Sequence, residues 1–362
     1  MNATQDPDKN LKNHIKGDPI KAVVLAFALF WPCAVQLHAQ TPYYQGKQIK
    51  VVVGFTSGGF YDRWARLLSR YMPKYIPGHP SFVVQNMPGA GSIVATNFIY
   101  GVAKPDGLTI GFPSNAIYLD NLIGRKEAQF DIRKFNWIGS PVREPMIFYM
   151  RTDAPYKTIQ DVKNAKEPPK CGSTGTVSSD FTLARMLEET LPPLKINTVL
   201  GYPGGAEIDI AVEKGEVVCR GMTASPYFGR EPFLSWHKKN FVRLLLFSGD
   251  KRDERMPDVP TIFEIFDKEK VPQNSRRVAD VILAAEKFGR PVVAGPGVPP
   301  DRVRVLRRAF DQSLKDPELL AEAQNQRMDV DPESGENLQK LAKQILEQPA
   351  EVIARVKTVL GN

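Results

Sequence analysis

The chain has 362 residues, with 42% apolar and 24% charged side chains and a formal net charge of +8. Lys and Arg are scattered among acids, with only short clusters such as Lys238-Lys239 and Arg307-Arg308, which argues against a nucleic-acid surface and leaves a small anionic ligand open. Three cysteines are too few for a disulfide scaffold, and none has metal-ligand spacing.

Residues 1–40 read as a secretory signal peptide: a polar leader with Lys12, Lys16 and Lys21, an apolar block from Ala22 to Leu37, and a small residue, Ala39, at the cleavage point. The block is shorter than the ~20 residues that span a bilayer, and no later stretch is long and apolar enough to do so. About 320 residues remain, with a net charge of about +7, enough for two domains each with its own core. Cys171 and Cys219 sit at or near predicted strands, and an exported chain leaves either a bridge between them or two buried thiols.

The mature chain opens on an apolar run, Ile49 to Phe55, broken only by Lys50 and rich in β-branched residues, which predicts a strand buried on both faces. Gly54, Ser57, Gly58 and Gly59 then supply turn freedom, Asp62 stands as the expected helix N-cap, and Trp64, Leu67, Leu68, Tyr71 and Met72 recur at helical spacing before Pro73. A loop running into a helix this way points backbone N–H groups at the positive end of the dipole and can hold an anion without a charged side chain; a plain βα turn is the alternative. The glycines fit neither the Rossmann nor the phosphate-loop spacing, and no cofactor motif is present.

Alternation continues. A strand Phe82 to Gln85, a turn Asn86 to Gly91, a helix Ser92 to Ala103 and a strand Leu108 to Phe112 lead to Ser114 and Asn115. Trp137 to Ser140 and Met146 to Met150 are extended pieces split by Pro141 and Pro145, where the chain leaves the first domain. A second set follows: strand Lys170 to Ser173, the small polar run Thr174 to Ser179, helix Phe181 to Glu189, strand Ile196 to Leu200, a glycine turn Gly201 to Gly205, helix Ala206 to Glu213, and strand Val217 to Met222. Strands Val242 to Phe247 and Arg290 to Ala294 and helices starting near Asp301, Pro317, Gly335 and Ala350 complete the chain, the last ones expected to pack across the first sheet. The pattern implies an α/β fold with mostly parallel sheets and helices on both faces. The expected domains are 41–145 with 256–362, and 146–255.

Gly46-Lys47, Ile49 to Asp62, the segment Val84 to Ser92, Pro105-Asp106-Gly107, Tyr202 to Ala206 and Pro257 to Thr261 together resemble the extracytoplasmic solute receptors of the tripartite tricarboxylate transporters, the Bug family. The resemblance runs over essentially the whole mature chain. It implies a two-domain periplasmic-binding-protein (Venus flytrap, type II) fold with a hinge, in which a small organic acid is trapped between the domains and handed to membrane transporter subunits by a monomeric receptor. Its ligand carboxylate would be held by backbone and water contacts from the first loop, Phe55, Thr56, Ser57, Gly58, Gly59, Phe60, Tyr61 and Asp62, and the second, Tyr202, Pro203, Gly204, Gly205 and Ala206. Pocket walls would come from Ala90 and Gly91, Ser114 and Asn115, Thr174, Thr176, Ser178 and Ser179, and Thr223 and Ser225. Thr56-Ser57 replace the two prolines of many members, Phe60 replaces what is often a third glycine, and Thr223 replaces a common carboxylate, which argues against a ligand whose amino group needs that acid. Arg220 either meets a second carboxylate or points to solvent. A sensor of similar acids and an exported hydrolase are the alternatives. The mature chain's two histidines, His79 and His237, lack companions at catalytic or metal spacing, so catalysis is not expected.

Overall fold

The computed structural model describes residues 41–176 and 178–361; the expected signal peptide lies outside them. In chain order the strands are β1 (Gln48–Val53), β2 (Ser81–Asn86), β3 (Thr109–Phe112), β4 (Asn136–Ser140), β5 (Met146–Arg151), β6 (Lys170–Gly172), β7 (Asn197–Val199), β8 (Cys219–Thr223), β9 (Val242–Phe247), β10 (Val292–Ala294) and β11 (Glu333–Ser334). They form a first sheet in the order β11-β4-β10-β3-β1-β2 and a second in the order β7-β6-β8-β5-β9.

Both sheets are mixed rather than mostly parallel. β1 pairs in parallel with β2 and β3, and β6 with β7 and β8, as their intervening helices require. Most antiparallel pairings lie next to a crossing: β5 enters the second sheet and β9 leaves it, side by side, while β10 returns to the first sheet between β3 and β4; the short edge strand β11 also pairs antiparallel with β4. A chain that crosses out and back at one end of the sheets places its entering and leaving strands head to tail.

The helices around the two sheets include α1 (Phe60–Tyr71), α2 (Ile117–Ile123), α3 (Ser179–Thr190), α4 (Gly205–Lys214), α5 (Ala224–Gly229), α6 (Gln273–Leu283), α7 (Pro300–Ser313) and α8 (Ala350–Leu360). α1 forms because Trp64, Ala65, Leu67 and Leu68 share one buried face, which packs on β1 and β2. The expected helix after Gly91 is broken into a 3-10 turn, α-helix Ile93–Asn97 and a π-helical end at Phe98–Val102. The C-terminal helix does not lie on the first sheet alone: α8 packs on α2, α3 and α6. Its Val352, Val356 and Leu360 join a core that continues from Trp137 in the first sheet to Phe148 and Leu183 in the second lobe. α6 and its neighbours Ile262–Lys268 and Ala285–Phe288 fill a stretch with no predicted elements, although Thr261 and Glu264 form a capping box.

The alternative left open for the cysteines resolves to a bridge. Cys171 and Cys219 are register partners on β6 and β8, their Cα atoms 4.4 Å apart, and they are disulfide-bonded.

Candidate ligand-binding site

The C-terminal ends of β1 and β3 and the loops after β6, β7 and β8 meet around a cavity of about 510 Å³ between the two sheets. Its wall contains the predicted residues Phe55 to Tyr61, Gly91, Ser114, Asn115, Thr174, Ser178, Ser179, Gly204, Gly205, Ala206 and Thr223. The two glycine turns face each other across it: a Cβ on Gly204 would stand 3.2 Å from Oγ1 of Thr56.

Four helices begin at this cavity, α1 behind Gly59, α3 behind Ser178, α4 behind Gly204 and the short α5 behind Thr223, and none of these N-cap residues makes a side-chain capping bond. The amides of Gly59, Phe60, Tyr61, Ser179, Gly205 and Ala206 find no backbone acceptor among the described residues. Uncapped helix starts normally recruit a Ser, Thr, Asp or Asn side chain to satisfy these donors. Here they are left facing one space, each with about half a positive charge from its dipole.

The first loop is held from below. Asp62 is not the N-cap; Gly59 is, and Asp62 lies inside the first turn, 2% exposed. Its carboxylate accepts from the Gly58 amide at 2.9 Å, from Asn86 Nδ2 at 3.0 Å and from Arg66 Nε at 2.9 Å. Burial works against the ionised form, but Arg66, the Gly58 amide and Asn86 outweigh it and hold the pKa below the usual carboxylate range. Asp62 is therefore outside the cavity wall and fixes the loop that forms it. Gly58 takes φ +83°, and Gly54 is needed because a Cβ there would stand 2.0 Å from Ser92 Oγ.

Ala90, Thr176, Tyr202, Pro203 and Ser225 also do not line the cavity. Thr176 instead accepts from Arg125 at 2.6 Å beside a separate surface cavity, and Ser225 is buried within α5.

Sequence reasoning passed over Asp180, Met222, Pro226, Arg230, Glu231 and Arg290, all on the wall. Arg220 does not point to solvent. It is 8% exposed, donating to Asp180 Oδ1 at 3.0 Å, to Asp209 Oδ1 at 2.8 Å and to the Gly205 carbonyl at 3.0 Å. Burial alone would lower its pKa, but the two carboxylates more than reverse that and hold it above its ordinary value. A Cβ on Gly205 would come within 2.5 Å of Arg220 Nη2, so the second glycine turn has room for this arginine because it lacks a side chain. Tyr61 stacks on Phe55 with centroids 4.3 Å apart, and its hydroxyl accepts from the Asn115 amide at 3.0 Å. Burial raises its pKa. Arg63 donates to the carbonyls of Gln326 and Gly229, joining the first lobe to the second.

Two α/β lobes linked by paired crossings, with uncapped helix starts from both lobes opening on the space between them, define a ligand-trapping binding protein. The family described as "Tripartite tricarboxylate transporter family receptor" matches residues 65–358. The chain belongs to that family of periplasmic solute-binding receptors. A UPF0065 protein from the gbd 5' region of Cupriavidus necator is 27% identical over 298 residues, covering 82% of this chain and 83% of the relative. Among solved structures, the periplasmic binding protein BugD aligns with a TM-score of 0.65 at 20% identity, covering 87% of this chain and 98% of its own. MatC from Rhodopseudomonas palustris, solved with bound malate, gives 0.65 at 19% identity over 87% and 99%. At these identities the likeness speaks for the fold.

Proposed function

We propose that this receptor captures a small organic carboxylate between its lobes and presents the closed form to the membrane subunits of a tripartite tricarboxylate-type transporter. The observation that carries the reading is the set of uncapped N-termini of α1, α3 and α4 at one cavity, which supplies neutral amide donors and positive dipole ends where the wall arginines already have carboxylate partners. MatC, with its bound malate, lends the same reading support from a relative of like fold.

The lobes of this proposal are 41–145 with 256–362, and 146–255, moving about the segments that follow β4 and β9. The receptor acts as a monomer, without cofactor and without turnover, after export by the leader at 1–40.

Native mass spectrometry of the protein purified from periplasm, followed by a thermal-shift screen of mono-, di- and tricarboxylates, tests it. A retained acid of stoichiometric amount and a raised melting temperature are expected, because a ligand that binds only the folded state stabilises it by mass action. A bound sugar or cation, with no response to any carboxylate, refutes it. Co-purification with the transporter's membrane subunits in the presence of ligand tests the delivery step.

A further inference from the structure

The charged side chains on the cleft wall are Arg220, Arg230, Arg290, Asp180 and Glu231, and no lysine or histidine stands there among the described residues. Each arginine already has an acid of the protein as its counter-ion. Arg220 pairs with Asp180 at 3.0 Å and with Asp209 at 2.8 Å, Arg230 with Asp209 at 2.5 Å, and Arg290 with Glu144 at 2.8 Å. Glu231 is a fourth acid, and its carboxylate accepts from the Ser235 amide at 3.0 Å. Arg63, which donates to carbonyls alone, is not on the wall. The three guanidinium groups of the wall are thus matched by four carboxylates. Guanidinium nitrogens without a protein acceptor can be met by water or by a neutral ligand oxygen, and neither brings a second charge into the cleft.

The positive potential left over is that of the helix starts, at about half a charge each for α1, α3 and α4. That is suited to one carboxylate. A second one would be taken out of water against a wall with no unpaired cation, and an unmatched charge in such a place is unfavourable. The rest of the wall is apolar on both sides. Phe55, Phe60 and Tyr61 line it from the first lobe, Met222 and Pro226 from the second. Phe55 and Tyr61 are stacked, and the Tyr61 hydroxyl is already engaged by the Asn115 amide. The Phe60 ring reaches the second lobe, since a Cβ on Gly229 would stand 2.5 Å from its Cζ.

We propose that the ligand is a monocarboxylate with an apolar body: its acid group sits at the helix starts, and its hydrocarbon lies between Phe55, Phe60 and Tyr61 of one lobe and Met222 and Pro226 of the other. This names the substrate class for the carboxylate reading above and rests on it.

The test is titration calorimetry on the purified protein with matched probes: hexanoate against adipate, 4-methylbenzoate against terephthalate, and the series acetate, butyrate, hexanoate. The monocarboxylate of each pair is expected to bind at least roughly tenfold more tightly than its dicarboxylate, because the second charge finds no counter-ion. Along the series, affinity should rise by about fourfold per methylene as hydrocarbon leaves water. Phe55→Ser should weaken hexanoate several-fold more than acetate, whereas a loop damaged as a whole would weaken both equally. Equal weakening overturns the assignment of the apolar wall. A wild-type protein that prefers the dicarboxylate of either pair, or whose affinity does not grow along the series, overturns the proposal and leaves the carboxylate reading standing; that measurement holds even if the variant fails to fold. Binding of none of these acids, with no response in the wider carboxylate screen, removes the carboxylate reading itself and this proposal with it.

Discussion

Replacement of Gly59 separates the backbone donor from everything else in the first loop. Gly59 has φ −71° and ψ 168°, inside the range that proline imposes on φ and open to any residue. A Cβ there meets only the Thr56 carbonyl oxygen, at an ordinary 3.6 Å. Gly59→Ala therefore keeps the N–H, displaces nothing, and should leave the fold unchanged or stabilise it by about 0.5 kcal/mol through the unfolded state. Gly59→Pro keeps the same φ and removes the donor. A hydrogen bond to a charged group contributes about 1.5–3 kcal/mol, so the proline protein should bind its carboxylate roughly ten- to one-hundred-fold more weakly than the alanine protein. Calorimetry with the ligand identified by native mass spectrometry measures the difference, and the melting temperatures of the ligand-free variants report any damage to the loop. If the proline protein melts normally and binds as tightly as the alanine protein, the Gly59 amide does not hold the anion and the argument from uncapped helix starts fails.

Asp62→Asn should destabilise the protein by about 2 kcal/mol, because it leaves Arg66 and the Gly58 amide facing a neutral group at a 2% exposed position; chemical denaturation measures it, and an unchanged midpoint would show that the loop holds itself. Cleaving the Cys171–Cys219 bridge removes closure of a 48-residue separation and should lower stability by about 4 kcal/mol in the chain-entropy account; the untreated protein should be lighter by two hydrogens than the reduced one, and equal masses refute the bridge. Burial raises the pKa of Asp120 to about 7, against the opposing pull of Arg125. An acid whose folded pKa exceeds its unfolded value stabilises the fold below the unfolded pKa and loses that contribution as pH rises through the folded one. Stability should therefore fall between about pH 4 and pH 7, by up to about 1.4 kcal/mol per pH unit from this group, and Asp120→Asn should flatten that slope in melting curves. An identical slope in both proteins would refute the assignment.

Much of the cleft was legible because its elements are local. The β-branched run before Gly54, the glycines at 58 and 59, and the turn ending at Gly205 announce strand, turn and helix start within a dozen residues, and the structure brings both turns to one cavity. The N-cap was misplaced onto Asp62 because the preference for acidic caps is strong, while a first-turn acid that accepts from the loop looks the same in sequence. The helices between Thr261 and Phe288 had a signal in the Thr261/Glu264 capping box, but the charged, proline-bearing segment before it obscured the start.

What the sequence by itself determined is the inventory of local units: strands, glycine turns, helix starts and the family pattern they make together, since each is decided by chain stiffness and by hydrogen bonds that close within a few residues. Only the tertiary structure decided which distant groups meet. Arg290 and Glu144 are 146 positions apart, Arg220 and Asp180 are 40 apart, and Cys171 faces Cys219 through the parallel register of β6 and β8. Pairings of that kind depend on strand order and on where the chain crosses between lobes, and no local preference encodes either.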